Sequence, residues 1–197
     1  MLANRRHKID LADLTRAALV GVLSFGVIGG CARPRKTAPA VDPAGLDDMG
    51  FQAYLADIPL VTVDEACRAM LILADGEDKT KTWSKRREVL LSRGLIRSAW
   101  GLQPNNLVDR GTVAFMICRI CEIRGGVNCL VLGSVGLGDR RYAHRELVHR
   151  GLMPRSTEWQ SITGGQMVSL LGKADELMEE KELYGTETFD LGAEPVH

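Results

Sequence analysis

Thiols and imidazoles are the side chains here best suited to redox, metal or nucleophilic chemistry. The chain has five cysteines and four histidines. Cys118 and Cys121 form a Cys-x-x-Cys pair, a spacing used by thiol redox and soft-metal sites. The apolar period around them predicts a helix, however, and puts the pair near its end. Redox pairs sit at a helix start, where the amide dipoles stabilise a thiolate. Helical residues three apart have Cβ atoms about 5–6 Å apart, whereas a disulfide wants about 3.5–4.5 Å. No histidine follows Cys121, so attachment of a c-type haem is not expected. Cys129 is a third soft ligand without a tidy fourth. Cys67, Cys118, Cys121 and Cys129 therefore read first as small apolar packing groups. A thiol or metal-binding protein remains the third reading of the chain.

His144 and His149 are five residues apart and do not share a helix face, which argues against a metal pair. Gly133, Gly136 and Gly138 give Gly-x-x-Gly-x-Gly, the wrong order for a dinucleotide loop, with no strand–helix–strand context. They read as a connector. No Walker lysine, Gly-x-Ser-x-Gly elbow or His-Glu-x-x-His pair is present. Arg140, Arg141, Arg145 and Arg150 make a local basic face, ordinarily solvated and otherwise suited to anionic polymer or headgroups. The expectation is a non-enzymatic protein with no cofactor and no metal. Over 197 residues, 25 basic and 25 acidic side chains balance, so charge gives no sign of nucleic-acid binding.

Cys31 stands apart from the other thiols. Arg5, Arg6, Lys8 and Arg16 precede an apolar stretch over residues 17–30 that ends at Cys31. The stretch is shorter than the roughly 20 residues a membrane span needs, and its glycines are poor helix formers. Basic start, short apolar core and small residues before a cysteine mark a cleaved export signal. Ile28-Gly29-Gly30-Cys31 resembles the lipobox of bacterial lipoproteins. That resemblance implies cleavage before Cys31, acylation of Cys31, and a chain anchored to a membrane by several acyl groups in the cell envelope, facing the periplasm or the exterior. Arg5-Arg6 also suggests a twin-arginine signal, but His7-Lys8-Ile9 lacks the hydrophobic follow-up. The predicted organisation is a signal over 1–30, a Pro- and Ala-rich flexible tether over 31–47, a helical domain over 48–184, and an acidic, frayed tail over 185–197.

Within 48–184 one layout recurs. Thr62 has Glu65 three residues on, and Thr163 has Gln166, which are capping boxes. Asp109, with Thr112 in the corresponding place, is a third cap. Four, seven, eight and eleven residues beyond each cap stand Ala66, Ala69, Met70 and Leu73; Val113, Met116, Ile117 and Ile120; Met167, Leu170, Leu171 and Ala174. All are apolar, and the spacing is one helical face. Segments 87–96 and 145–153 also match and predict shorter helices stopped by Gly94 and Gly151 in the left-handed position; residues 51–56 supply a partial first copy. The fold expected is mainly α, with three helix-loop-helix pseudo-repeats forming a compact helical bundle.

The middle copy, residues 101–117, resembles the S-layer homology domain, whose loop and second helix read roughly Gly-x-Phe-Arg-Pro-Asn-x-x-Val-Thr-Arg-Ala-Glu-Phe-Ala-x-Met-Leu. Pro104, Asn105, Val108, Arg110, Ala114 and Met116 fall in place, and Asp109 replaces the threonine cap. The third copy keeps Ile162, Thr163, Gln166 and Met167 but has Gly164 where that family has arginine; the first keeps Thr62 and Glu65 but has Val63 there. The resemblance, clear only in the middle copy, covers about 49–177. It implies a domain that docks anionic cell-wall polysaccharide, with Arg110 as the main ligand residue, Asp109 beside it as cap, and tryptophans such as Trp100 as stacking platforms. Trp83, Trp100 and Trp159 equally suit packing anchors, and Arg110 a solvated helical surface. The function expected is a lipid-anchored envelope protein that docks wall polysaccharide or an envelope partner. The alternative is a structural, protein-interacting lipoprotein without a glycan site.

Overall fold

Each predicted cap starts a helix in the computed structural model, which describes residues 33–35, 41–123 and 139–184. Cys31, the glycine-rich connector with Cys129, and the acidic tail lie outside the described residues. The helices are α1 (Asp48–Asp57), α2 (Val63–Asp75), α3 (Trp83–Ser92), α4 (Arg110–Ile120), α5 (Asp139–His149) and α6 (Gly164–Glu180). Among the described residues there is no strand, only isolated bridges, and the fold is the mainly helical bundle expected. No described helix is long and apolar enough to cross a membrane.

Local chemistry sets the helix ends. Thr62 and Glu65 exchange side-chain and backbone bonds at the start of α2, and Thr163 and Gln166 do the same at α6. At α4 the Asp109 carboxylate accepts from the Thr112 amide at 2.6 Å, but threonine at that position is too short to bond back to the cap. Arg140 of α5 fills in, donating to Asp109 Oδ2 at 2.9 Å and to Thr112 Oγ1 at 3.4 Å. Gly94 and Gly151 follow α3 and α5 with φ of +66° and +74°, as the stop signals predict.

The apolar faces meet in one core. Ile120 and Leu171 pack at its edge, and every other residue of the three matched sets is buried there with Phe51, Leu55, Leu90 and Leu147. Each short helix packs chiefly on the long helix that precedes it around the bundle: α3 on α2, α5 on α4, and α1 on α6. Backbone bonds trace the same circle. The first amides of a helix lack intrahelical acceptors. Here Val63 and Asp64 donate to the Asn106 and Pro104 carbonyls, Arg110 and Gly111 to Gln160 and Glu158, and Gly164 to Ile58.

Residues 33–35 and 41–47 belong to the segment expected as a tether, yet they hold fixed contacts. The Leu107 amide donates to the Arg33 carbonyl at 2.8 Å, and the Arg35 amide to the Asn105 carbonyl at 3.1 Å. The Arg35 guanidinium forks onto Glu65 at 2.8 and 2.6 Å and also donates to the Leu60 carbonyl. Arg68 binds the Pro43 and Leu46 carbonyls at 2.7 Å each. Composition reads as linker, but two arginines fasten the described parts of it to the helices.

These contacts set an acid response. Burial alone would push the Glu65 carboxyl up, but bonds from Arg35, Tyr54 and Thr62 outweigh it and hold it below its ordinary value. Asp78 is likewise held low, burial being outweighed by Thr80 and Arg86. A depressed folded-state value means stability that is present above the unfolded value and lost as pH falls through the folded one. Thermal midpoints should therefore hold steady down to about pH 5 and fall steeply below about pH 4, less steeply in Asp78→Asn. Parallel curves for Asp78→Asn and wild type would refute the assignment to Asp78.

Candidate functional site

Arg110 is the first residue of α4, and its backbone is pinned by the bond to the Gln160 carbonyl at 2.9 Å. Its side chain enters the space between α4, the loop after α5 and the first turns of α6, where the residue is only 7% exposed. One guanidinium nitrogen donates to Ser156 Oγ at 2.8 Å and the other to Gln166 Oε1 at 2.9 Å. Both partners are neutral. Nε is buried with no hydrogen-bond partner in the structure. Among the described residues no carboxylate forms an ion pair with Arg110, and burial pulls its pKa below the ordinary arginine value. A desolvated cation without a counter-charge is costly. Arg35, Arg68 and Arg86 in the same domain each have a carboxylate partner.

A cavity of about 210 Å³ opens at this guanidinium. Gln166, Ser169 and Lys173 supply its other polar side chains, and no aspartate or glutamate lines it. Lys173 donates to the Gly151 carbonyl at 3.4 Å and so also has a neutral partner. Gly165 places the positive end of the α6 dipole at the wall. Two cations, a helix start and no acid make a pocket suited to an oxyanion.

His144 of α5 also meets Ser156, its Nε2 3.1 Å from Ser156 Oγ, and the residue is only 2% exposed. Burial lowers its pKa; Arg110 lowers it further, while Glu158 pulls it upward.

The other two equivalents of Arg110 are closed by packing. Val63 is buried in the core. At Gly164 a Cβ would lie 1.9 Å from the Leu55 carbonyl oxygen and 2.7 Å from that of Ile58, so no side chain fits.

Asp109 and Trp100 do not line the Arg110 cavity. Asp109 is spent on the Thr112 amide and Arg140. Trp100 meets Phe115 edge-on at 5.0 Å, and the Arg140 guanidinium lies over its ring at 5.1 Å. Arg140 also lies 4.8 Å from the ring centre of Trp159, which is 60% exposed. Trp100 is thus chiefly a packing residue, and Trp159 is the tryptophan that faces water.

Sequence reasoning missed Ser156, Lys173 and His144 as neighbours of Arg110, and assigned Gln166 only to capping. Gln166 carried the one local signal, since a capping-box amide has a spare lone pair at a helix start.

The thiols look inward. Cys121 caps the end of α4 with its sulfur against the Ala174 carbonyl, while Cys118 faces Ala143. Burial pushes the Cys121 thiol up to about 11, and the Cys67 thiol higher still, so both stay protonated near neutrality. Among the described residues no three His, Cys, Asp or Glu side chains are grouped to hold a metal. No protein family, no curated protein and no solved structure matches the chain.

Proposed function

We propose that this chain is a lipid-anchored, non-enzymatic cell-envelope protein whose helical domain docks anionic cell-wall polysaccharide at Arg110. The observation that carries this reading is a buried guanidinium, short of a counter-charge, at a cavity whose polar side chains are Arg110, Lys173, Gln166 and Ser169 and whose other walls are apolar, with Leu152, Met153, Ile162 and Leu170 among them. A carboxylate or similar group on a polymer would supply the missing charge. The caps, the glycine stops and the circular packing support the likeness to S-layer homology units, taken here as copies of one duplicated unit. The lipobox-like sequence at Cys31 supplies the anchor, and lipid and polymer contacts at separate places would bridge membrane and wall.

The test is a pull-down of the purified chain with cell-wall sacculi. Charge-assisted bonds of about 1.5–3 kcal/mol predict that Arg110→Ala weakens binding roughly tenfold to hundredfold. Circular dichroism checks that the helices persist. Unchanged sacculus binding by Arg110→Ala would sink the site, and a protein partner trapped by cross-linking in its place would favour the structural lipoprotein. Mass spectrometry of the native protein should show an acylated Cys31.

A further inference from the structure

We infer that His144 is a proton-linked second cation of the Arg110 site, so that capture of an oxyanion in the cavity takes up a proton and tightens as the pH falls. The inference rests on the reading of Arg110 as an anion site and adds its regulation.

The hydrogen bonds allow two arrangements. With His144 neutral, the Ser156 hydroxyl donates to Nε2 and accepts from Arg110, completing a relay from guanidinium to imidazole. With His144 protonated, Nε2–H donates to Ser156 Oγ, which still accepts from Arg110. The hydroxyl proton then turns to the Pro154 carbonyl, 3.4 Å away. One serine rotor serves both states, so the site can hold a charged His144 without rebuilding the fold.

The surrounding charges decide which state is occupied. Burial opposes a charge on His144 most, and Arg110 of α4 opposes it too. Glu158, in the loop before α6, favours it, but Arg141 draws on Glu158 from 3.9 Å. On α5 itself, Arg140 and Arg141 stand one turn before His144 and Arg145 directly after it, while Asp139 and Glu146 are the helix's acids. An oxyanion on Arg110 cancels the opposing charge of that guanidinium and adds an attractive one. His144 is then easier to protonate in the bound state than in the free state. By linkage, affinity rises as pH falls through the interval between the two values and is level outside it.

Sulfate is a suitable probe because it keeps its charge across the histidine range, so any pH dependence belongs to the protein. Calorimetry on the full chain should show sulfate binding about fivefold tighter near pH 5.5 than near pH 8, with proton uptake visible in buffers of different ionisation enthalpy. In NMR titrations the His144 ring midpoint should move upward when sulfate saturates the site. Glucuronate, tested alongside, should behave alike, and tighter binding than sulfate would assign the site to a carboxylated sugar. His144→Gln should flatten the pH profile, while the NMR measurement needs no variant. Arg110-dependent binding with an unmoved His144 midpoint would overturn the inference and leave the site standing. Failure of both anions to bind through Arg110 at either pH would overturn the site together with the inference.

Discussion

Gly164→Ala is expected to destabilise the domain by about 3 kcal/mol or more, although alanine is the better helix former. The added Cβ would meet the Leu55 carbonyl oxygen at 1.9 Å, the Ile58 carbonyl oxygen at 2.7 Å and Ile58 Cγ1 at 2.9 Å. Two of these are backbone atoms of α1 or its exit, so relief requires α1 and α6 to separate. That would also break the bond from the Gly164 amide to the Ile58 carbonyl. Gly172, on the exposed face of the same helix, is the control. A Cβ there meets nothing within 4 Å. Gly172→Ala should stabilise by about 0.5–1 kcal/mol. Urea midpoints moving in opposite directions are the result to look for, and equal midpoints for Gly164→Ala and wild type would contradict the close approach.

Glu65→Ala should cost about 3–5 kcal/mol, the usual penalty for removing one partner of a buried ion pair. Its carboxylate, 4% exposed as a residue, accepts from Arg35 twice, from Tyr54 Oη at 2.6 Å and from the Thr62 amide at 2.8 Å. The substitution removes the Glu65 half of the capping box and both carboxylate bonds of Arg35, leaving the strap of residues 33–35 to the bonds with Leu60, Asn105 and Leu107. Faster tryptic cleavage after Arg35 should accompany the lower urea midpoint. Glu65→Gln should lose less, because Gln166 shows that an amide completes the same box in α6. A Glu65→Ala protein as stable as wild type and equally protected at Arg35 would mean the strap is held elsewhere.

The features legible in the sequence were those governed by neighbouring residues. Thr62, Asp109 and Thr163 start helices because a side-chain oxygen reaches an amide three residues on, and Gly94 and Gly151 tolerate positive φ. Arg110 was legible as a candidate through its place beside a cap. Its surroundings were not: Ser156 and Gln166 come from 46 and 56 residues away, and nothing local announces them. Asp109 and Trp100 stand out in the sequence, but their contacts do not, because Arg140, 31 residues beyond Asp109, meets both. The strap read as linker for the same reason, since Glu65 lies 30 residues beyond Arg35. The closure of the Gly164 position depends on carbonyls of α1, which a comparison of the three caps does not reveal.

The packing of α1 on α6 has a consequence for how the chain acquires its structure. In a linear array each unit leans only on its neighbours, so it can nucleate anywhere and tolerates trimming at an end. Here the first of the described helices to be synthesised finds its principal partner in the last of them. Phe51 and Leu55 stay without their final burial until residue 164 and beyond are available, which raises the contact order and slows folding. Completion is therefore expected only after the whole domain has been made and, if exported, delivered across the membrane. Once closed, the domain should melt in a single cooperative transition rather than unit by unit.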